Sequence, residues 1–217
     1  DQTRFGLRLA HCYQTVERLT EARRVTDEVI AIWKQQRIEK AKEAKEQAEK
    51  EGKDTSQLSI PTDPHNPSLD LLQGNLYLAE IIPEKALTYF QQAQQASPRL
   101  PHIHLNIGQT YLKLQRLTDA EEAFFQALDI DPDSAAAYHG LAQVYLQKKH
   151  FQEAAEAAMS SVGLIYHNPV AHYHLGEALF RLGKFELAAQ SWEVCVSQAP
   201  GMKTAHEKLV KLYQYHL

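Results

Sequence analysis

Eleven histidines fall in a chain of 217 residues, and His167, His172 and His174 lie close together. Clustered imidazoles raise the question of a metal centre or a proton relay. Alternate residues of a helix point to different faces, however, so His172 and His174 are badly placed to share one ion. Cys12 and Cys195 are the only thiols, and they are too distant in sequence to suggest a disulfide or a paired-cysteine metal motif. No nucleophile motif or phosphate-cradling glycine loop is present. The sequence therefore leads us to expect no enzyme over this stretch, no metal and no cofactor. What remains to do chemistry is a population of amides, rings and mixed charges, suited to hydrogen bonding and stacking.

The elements that carry those groups announce themselves by a fixed beat. Gly74, Gly108, Ala142, Gly176 and Val210 recur every 34 residues. Tyr77, Tyr111, Tyr145, Leu179 and Tyr213 follow three residues later, and Ala86, Ala120, Ala154 and Ala188 twelve later. Phe90, Phe124, Ala158 and Trp192 come sixteen later; Pro98, Pro132 and Pro200 close the units, with Tyr166 in place of one proline. A period of this length means stacked supersecondary units that bury a continuous core between neighbours.

The unit from Pro101 to Asp133 shows the logic. Ile103, Ile107, Tyr111 and Leu114 fall at helical spacing, which predicts an amphipathic helix over 102–114, with Pro101 suited to its first turn. Thr118 reads as the N-cap of a second helix, with Glu121 completing a capping box. Ala120, Phe124, Ala127 and Leu128 line the face turned back on the first helix, and Pro132 stops it. Small Gly108 and Ala120 would let the two helices cross closely, with Tyr111 and Phe124 filling the wider ends.

Ile107-Gly108, Tyr111, Ala120, Phe124, Ala127 and Pro132 together resemble the tetratricopeptide repeat, as do Gly74, Tyr77, Ala86, Phe90, Ala93 and Pro98 one unit earlier. Leu175-Gly176, Ala188, Trp192 and Pro200 repeat the pattern, and the match runs from about Pro67 to Leu217. The resemblance implies an all-α, right-handed superhelical solenoid of antiparallel helix pairs. On this reading 1–52 is a divergent repeat with an extended second helix and 53–66 a loop. Four repeats occupy 67–100, 101–134, 135–168 and 169–202, and 203–217 is a capping helix whose wet side would hold Glu207, Lys208, Lys211 and Gln214. The third repeat departs most, with Ala158 for the aromatic, Tyr166 for the proline and Gly163 inside its second helix, so it should be locally looser or slightly rotated. Asn168-Pro169 should cap and start the helix that follows.

The resemblance also places a site. First helices of such arrays line a concave face that meets ligand. Here those positions hold Asn75, Asn106, Gln109, Lys113, His139, Gln143, Tyr173, His174, Glu177 and Arg181. They suit an extended peptide, through hydrogen bonds to its backbone and stacking on its side chains. Some family members grip an acidic carboxyl terminus with a clamp of two asparagines and several basic residues. Asn75 and Asn106 match the asparagines, but Leu71, Ala136 and Gly140 stand where cations are expected, so this chain is not expected to be a clamp. His104, His172 and His206 share the position where the family usually has tryptophan, which reads as packing.

Both ends depart from the beat. Leu9-Ala10, Tyr13 and Ala22 keep the repeat spacing, but the helix after them meets no breaker from Leu19 until Gly52. It would be ~50 Å long at 1.5 Å per residue. Its distal half mixes Lys and Glu with Ala41, Ala44 and Ala48, either as a solvated spur or as a seam for another helix. A homo-oligomer through helix 19–51 is thus one expectation. Asp54 to Pro67, with three prolines, reads as a returning loop.

A formal charge of -4 argues against nucleic acid, and no apolar run approaches a membrane span. The chain starts at Asp1 and reads as a soluble, cytoplasmic piece of a longer protein. The expected role is a protein-interaction scaffold with a protein or peptide ligand. The alternative is a regulatory or oligomerising appendage of a larger enzyme. The run Tyr166 to Gly176 is similar to repeat tails of bacterial phosphodiesterase/nucleotide-pyrophosphatase-type proteins of the alkaline phosphatase superfamily.

Overall fold

A computed structural model of the chain describes residues 18–52, 54, 60, 66–99 and 102–215, and these form ten α-helices and no strands. The chain divides into two compact units, Asp1–Leu100 and Pro101–Leu217. The first contains α1 (Leu19–Lys50), α2 (Pro67–Ala79) and α3 (Pro83–Ala96). The second contains α4 (Ile103–Lys113), α5 (Leu117–Ile130), α6 (Ala135–Lys148), α7 (Phe151–Leu164), α8 (Pro169–Arg181), α9 (Phe185–Gln198) and α10 (Lys203–Tyr215). Leu9, Ala10 and Tyr13, most of the proline-containing loop, and Pro101 lie outside the described residues.

Each glycine of the beat faces a ring. A Cβ on Gly74 would fall 2.3 Å from Phe90, one on Gly108 2.7 Å from Phe124, and one on Gly176 2.4 Å from Trp192. Phe124 is held on a second side by Gly140, where a Cβ would come within 2.3 Å of the ring. Phe90, Phe124 and Trp192 have no exposed surface. The glycine therefore makes room for the aromatic of its own helix pair, rather than for close backbone crossing at Ala120 as expected from sequence. Tyr111, expected to fill the wider end of that interface, is half-buried and packs against the core cluster, with the Arg116 guanidinium 4.6 Å from its ring centre.

The third pair exchanges both partners at once. Ala142 replaces the glycine and Ala158 the ring, and both are fully buried together with Ala154. Ser161, also fully buried, donates its hydroxyl to the Ala135 carbonyl at 2.9 Å, tying α7 to α6. Small residue against small residue keeps the core closed, so the static packing does not single this pair out as loose.

The helix boundaries show what sequence reading caught and missed. Asn66 caps α2 by accepting from the Ser68 N–H at 2.9 Å, and Asn168 caps α8 by accepting from the Ala171 N–H at 3.1 Å. Pro67 and Pro169 fill the first turns behind them, as the missing N–H there costs nothing. The capping box at Thr118 does not form. Helix α5 starts two residues earlier, at Leu117 after Arg116, with no side-chain cap, and Arg116 donates to Asp119 at 2.6 Å instead. Glu121 is drawn away across the helix pair: it accepts from the Tyr145 hydroxyl at 2.8 Å and from the Lys148 ammonium. Burial and that carboxylate together push the Tyr145 phenol up to about 12.

The turn joining the helices of each pair also repeats. Ile81, Gln115, Lys149 and Gly183, spaced 34 residues apart, all take left-handed φ angles of 61°, 59°, 62° and 72°. After each, an N–H reaches back to close the turn: Ile82 to the Tyr77 carbonyl, Arg116 to Tyr111, His150 to Tyr145 and Lys184 to Leu179, all at 2.9 Å. These are Schellman-type stops, and only Gly183 has the residue that suits one. An isoleucine in this region, 82% exposed, costs about 1–2 kcal/mol.

Helix α1 runs unbroken for 32 residues and ends beside Gly52, whose φ is 68°. Its buried residues are Ala22, Val25, Thr26 and Val29, all in the first third. Beyond them Ile38, Ala41, Lys45 and Ala48 are half-buried while Ala44 is exposed, so the stripe is set by position and not by alanine alone. Arg23 fastens α1 to α2 with two bonds to Glu80, at 2.7 and 2.5 Å, over the Tyr77 ring. At the other end α10 buries Ala205 and Leu212 but leaves Val210 and Tyr213 half open.

Candidate functional site

The inner face of the second unit is built from α4, α6 and α8, the first helices of successive pairs. Positions one repeat apart bring rows of side chains to this common face: Gln109, Gln143 and Glu177 in one row, Lys113, Gln147 and Arg181 in the next. A cleft of about 360 Å³ opens there, with Lys113 and Gln115 at one side, Gln143 and Gln147 in the middle and His174 at the other, over Leu112 and Leu146. The structure thus brings Lys113, Gln143 and His174 of the expected site together. Asn75 lies on α2, in the first unit.

His139 and His174 form a bonded pair. Nε2 of His139 lies 2.8 Å from Nδ1 of His174, and the rings stack with centres 5.0 Å apart. One nitrogen must donate and the other accept, so the bond needs at least one neutral ring. Burial, reinforced by the neighbouring His139, brings His174 down to about 4; burial also lowers His139. Both rings are therefore uncharged near neutrality, and they link α6 to α8 across adjacent pairs. The Tyr173 ring meets His174 edge-on at 5.5 Å, while its carbonyl accepts the Trp192 N–H at 3.1 Å.

Glu177 and Arg181 are less available than the sequence implies. Arg181 donates to Glu177 at 3.3 Å, and Lys208 of α10 reaches the same carboxylate at 2.6 Å. Lys208 therefore leaves the wet side of the capping helix. It turns inward because Glu177, 16% exposed, would otherwise keep a half-desolvated charge. Asn106 is half-buried, with its carbonyl accepting from the Thr110 hydroxyl at 2.6 Å, and Gln109 is exposed on the same helix. Sequence reading missed Gln115, Gln147 and Lys208 as members of this face. Gln147 and Lys208 were detectable, since each lies 34 residues from a residue already assigned to it.

The three histidines at the expected tryptophan position are engaged in hydrogen bonds. His172, buried, donates from Nε2 to the Tyr166 carbonyl at 2.9 Å, and His206 does the same to Pro200 at 2.9 Å. His104, also buried, pairs with the Gln126 side chain at 2.9 Å. Two of the three are packed as expected, while His206 is exposed. The Tyr166 carbonyl also accepts from Gln198 at 3.0 Å, so much of the run from Tyr166 to Gly176 serves the joint between pairs. Among the described residues, no three His, Cys, Asp or Glu side chains are grouped to hold a metal. No described helix is long and apolar enough to cross a membrane.

Comparison with known proteins agrees with this geometry. Two family models described as tetratricopeptide repeat match residues 105–162 and 170–201. Among solved structures, the thermophilic TPR protein TTC0263 of Thermus thermophilus is 14% identical, with 98% of this chain and 99% of that one aligned at a TM-score of 0.72. MamA is 23% identical over 65% of this chain and 82% of its own, at a TM-score of 0.59. The first TPR of Spaghetti (RPAP3), solved bound to the HSP90 peptide SRMEEVD, is 25% identical over 52% of this chain and 89% of its own, at 0.51. No curated protein matches the chain by sequence. The 34-residue beat, the ring-against-glycine helix pairs and these matches together show tetratricopeptide repeats within residues 105–201 of the chain.

Proposed function

We propose that this protein is an interaction scaffold, and that the common face of α4, α6 and α8 binds an extended segment of a partner protein. The observation that carries the reading is the cleft where Lys113, Gln143, Gln147 and His174 converge over Leu112 and Leu146. Side-chain amides can pair with a peptide backbone in either direction, and the leucines give its side chains an apolar floor. The imidazole pair and the Glu177 ion pairs hold neighbouring helices in register, so little ordering is left for binding to supply.

The HSP90 peptide SRMEEVD bound by one of these neighbours is not the ligand we assign to this chain. A carboxylate clamp needs cations, and at the positions where the family resemblance would put them this chain has Leu71 in the first unit and Ala136 and Gly140 in the second. Gly140 supports that distinction physically, because a lysine or arginine at this position would displace the Phe124 ring. The ligand we propose is therefore an internal, uncapped stretch of polypeptide.

Changing Asn106 and Tyr173 together to alanine should weaken partner binding at least ~10-fold, as loss of an interface anchor does. The helical circular dichroism of the variant should match the parent. Titration calorimetry reads the affinity, and full affinity in the double variant would refute the inner-face model.

A further inference from the structure

A second cleft lies at the end of the second unit, where α10 closes on α8 and α9. It has a volume of about 330 Å³ and is lined by Phe180, Trp192, Leu212 and Tyr215, with Lys208 and Lys211 beside them. Its apolar wall is closely packed. The Phe180 ring sits 5.8 Å from Trp192 and 5.6 Å from Phe185, and Trp192 is anchored by its N–H to the Tyr173 carbonyl. Trp192 and Leu212 have no exposed surface and form the floor, whereas Tyr215 is 77% exposed and forms a side. A preformed aromatic wall of this kind takes up a bulky apolar group with little reorganisation.

The charged groups that line it are both cations, Lys208 and Lys211. Lys208 and Arg181 share the single carboxylate of Glu177, and Lys211 adds a further, exposed cation. Aromatic surface edged by the Lys211 ammonium complements an apolar side chain that has a carboxylate beside it.

We infer that this cleft is an anchor pocket for a partner segment in which an aromatic or branched apolar residue is flanked by Asp or Glu. The side chain lies on Phe180 over Trp192 and Leu212, and the flanking carboxylate meets Lys211. The inference rests on the reading of the second unit as a polypeptide-binding scaffold and adds the type of residue it selects. It uses no terminal carboxylate.

The probe is a fluorescein-labelled, C-terminally amidated peptide with one Phe between two Asp residues on a Gly/Ser background. Fluorescence anisotropy should show saturable binding to the full chain. Replacing the Phe by Ser should weaken it at least tenfold, and exchanging both Asp for Lys should weaken it similarly. Lys211→Glu should also lower affinity about tenfold, and a peptide with Lys in place of Asp should bind that variant better than the parent. Lys211 is exposed, so the variant keeps its fold. Absence of binding, binding indifferent to Lys211, or uptake of decanoate in place of the peptide would each overturn the inference. If the peptide fails while partner binding still depends on Asn106 and Tyr173, only the anchor pocket falls. If the peptide binds through Lys211 while Asn106 and Tyr173 prove irrelevant, the inner-face reading falls and the pocket stands.

Discussion

Phe124→Ala is expected to destabilise the second unit by about 3–5 kcal/mol, the range for emptying a core of one phenyl ring. The ring has no exposed surface and is trapped between Gly108 and Gly140 on two different helices. Losing it removes packing within one helix pair and between that pair and the next, which is why the upper end of the range applies. Gly140→Ala should also destabilise, by about 1–3 kcal/mol, because its new methyl would stand 2.3 Å from the ring. The two changes should not add. With the ring gone the methyl has space, and the chain already uses such a small-against-small solution at Ala142 and Ala158. A double-mutant cycle by urea denaturation should therefore give a coupling of about 1–3 kcal/mol in the compensating direction. Strict additivity would mean that the ring and the glycine are not partners.

Acid should loosen the same unit through its imidazole pair. A histidine whose folded value lies below its ordinary 6.5 binds its proton more readily in the unfolded chain, so protons favour unfolding. Stability from this source is intact above pH 6.5, falls as the pH drops, and levels off below about 4, where His174 titrates in the folded protein. The full drop is up to about 3 kcal/mol at 1.36 kcal/mol per unit. Within the folded unit the neighbouring His139 adds to this effect, while the Glu177 carboxylate acts in the opposite sense. Chemical denaturation across this window should show the slope in the parent and lose about one proton of it in His174→Gln. An unchanged slope in that variant would show that the pair does not govern the acid response.

These two cases mark what a single sequence can and cannot disclose. The 34-residue beat is enough to place helices from Pro67 onward, because apolar spacing and the Asn-Pro starts are local signals. The partnership of Gly108 with Phe124 is not readable in the same way. Both positions are visible, but which atoms meet depends on how two helices cross. Gln115 and Lys149 in left-handed turns leave no trace in residue type, since the strain is tolerated by the repeat geometry around them. Glu121 has the spacing of a capping partner and is claimed instead by Tyr145 and Lys148, groups 24 and 27 residues away. The inner face is legible as rows of polar residues. The bond between His139 and His174, and the inward turn of Lys208, come only with packing.

Site-specific photocrosslinking tests the inner-face claim most directly. A benzophenone amino acid placed at Gln143 faces the cleft, and one placed at Glu156, exposed on α7, serves as the comparison. The account predicts that one partner polypeptide is captured from Gln143, is not captured from Glu156, and is lost when Asn106 and Tyr173 are both alanine. Equal capture from both positions, or capture at Gln143 that survives the double substitution, would contradict it.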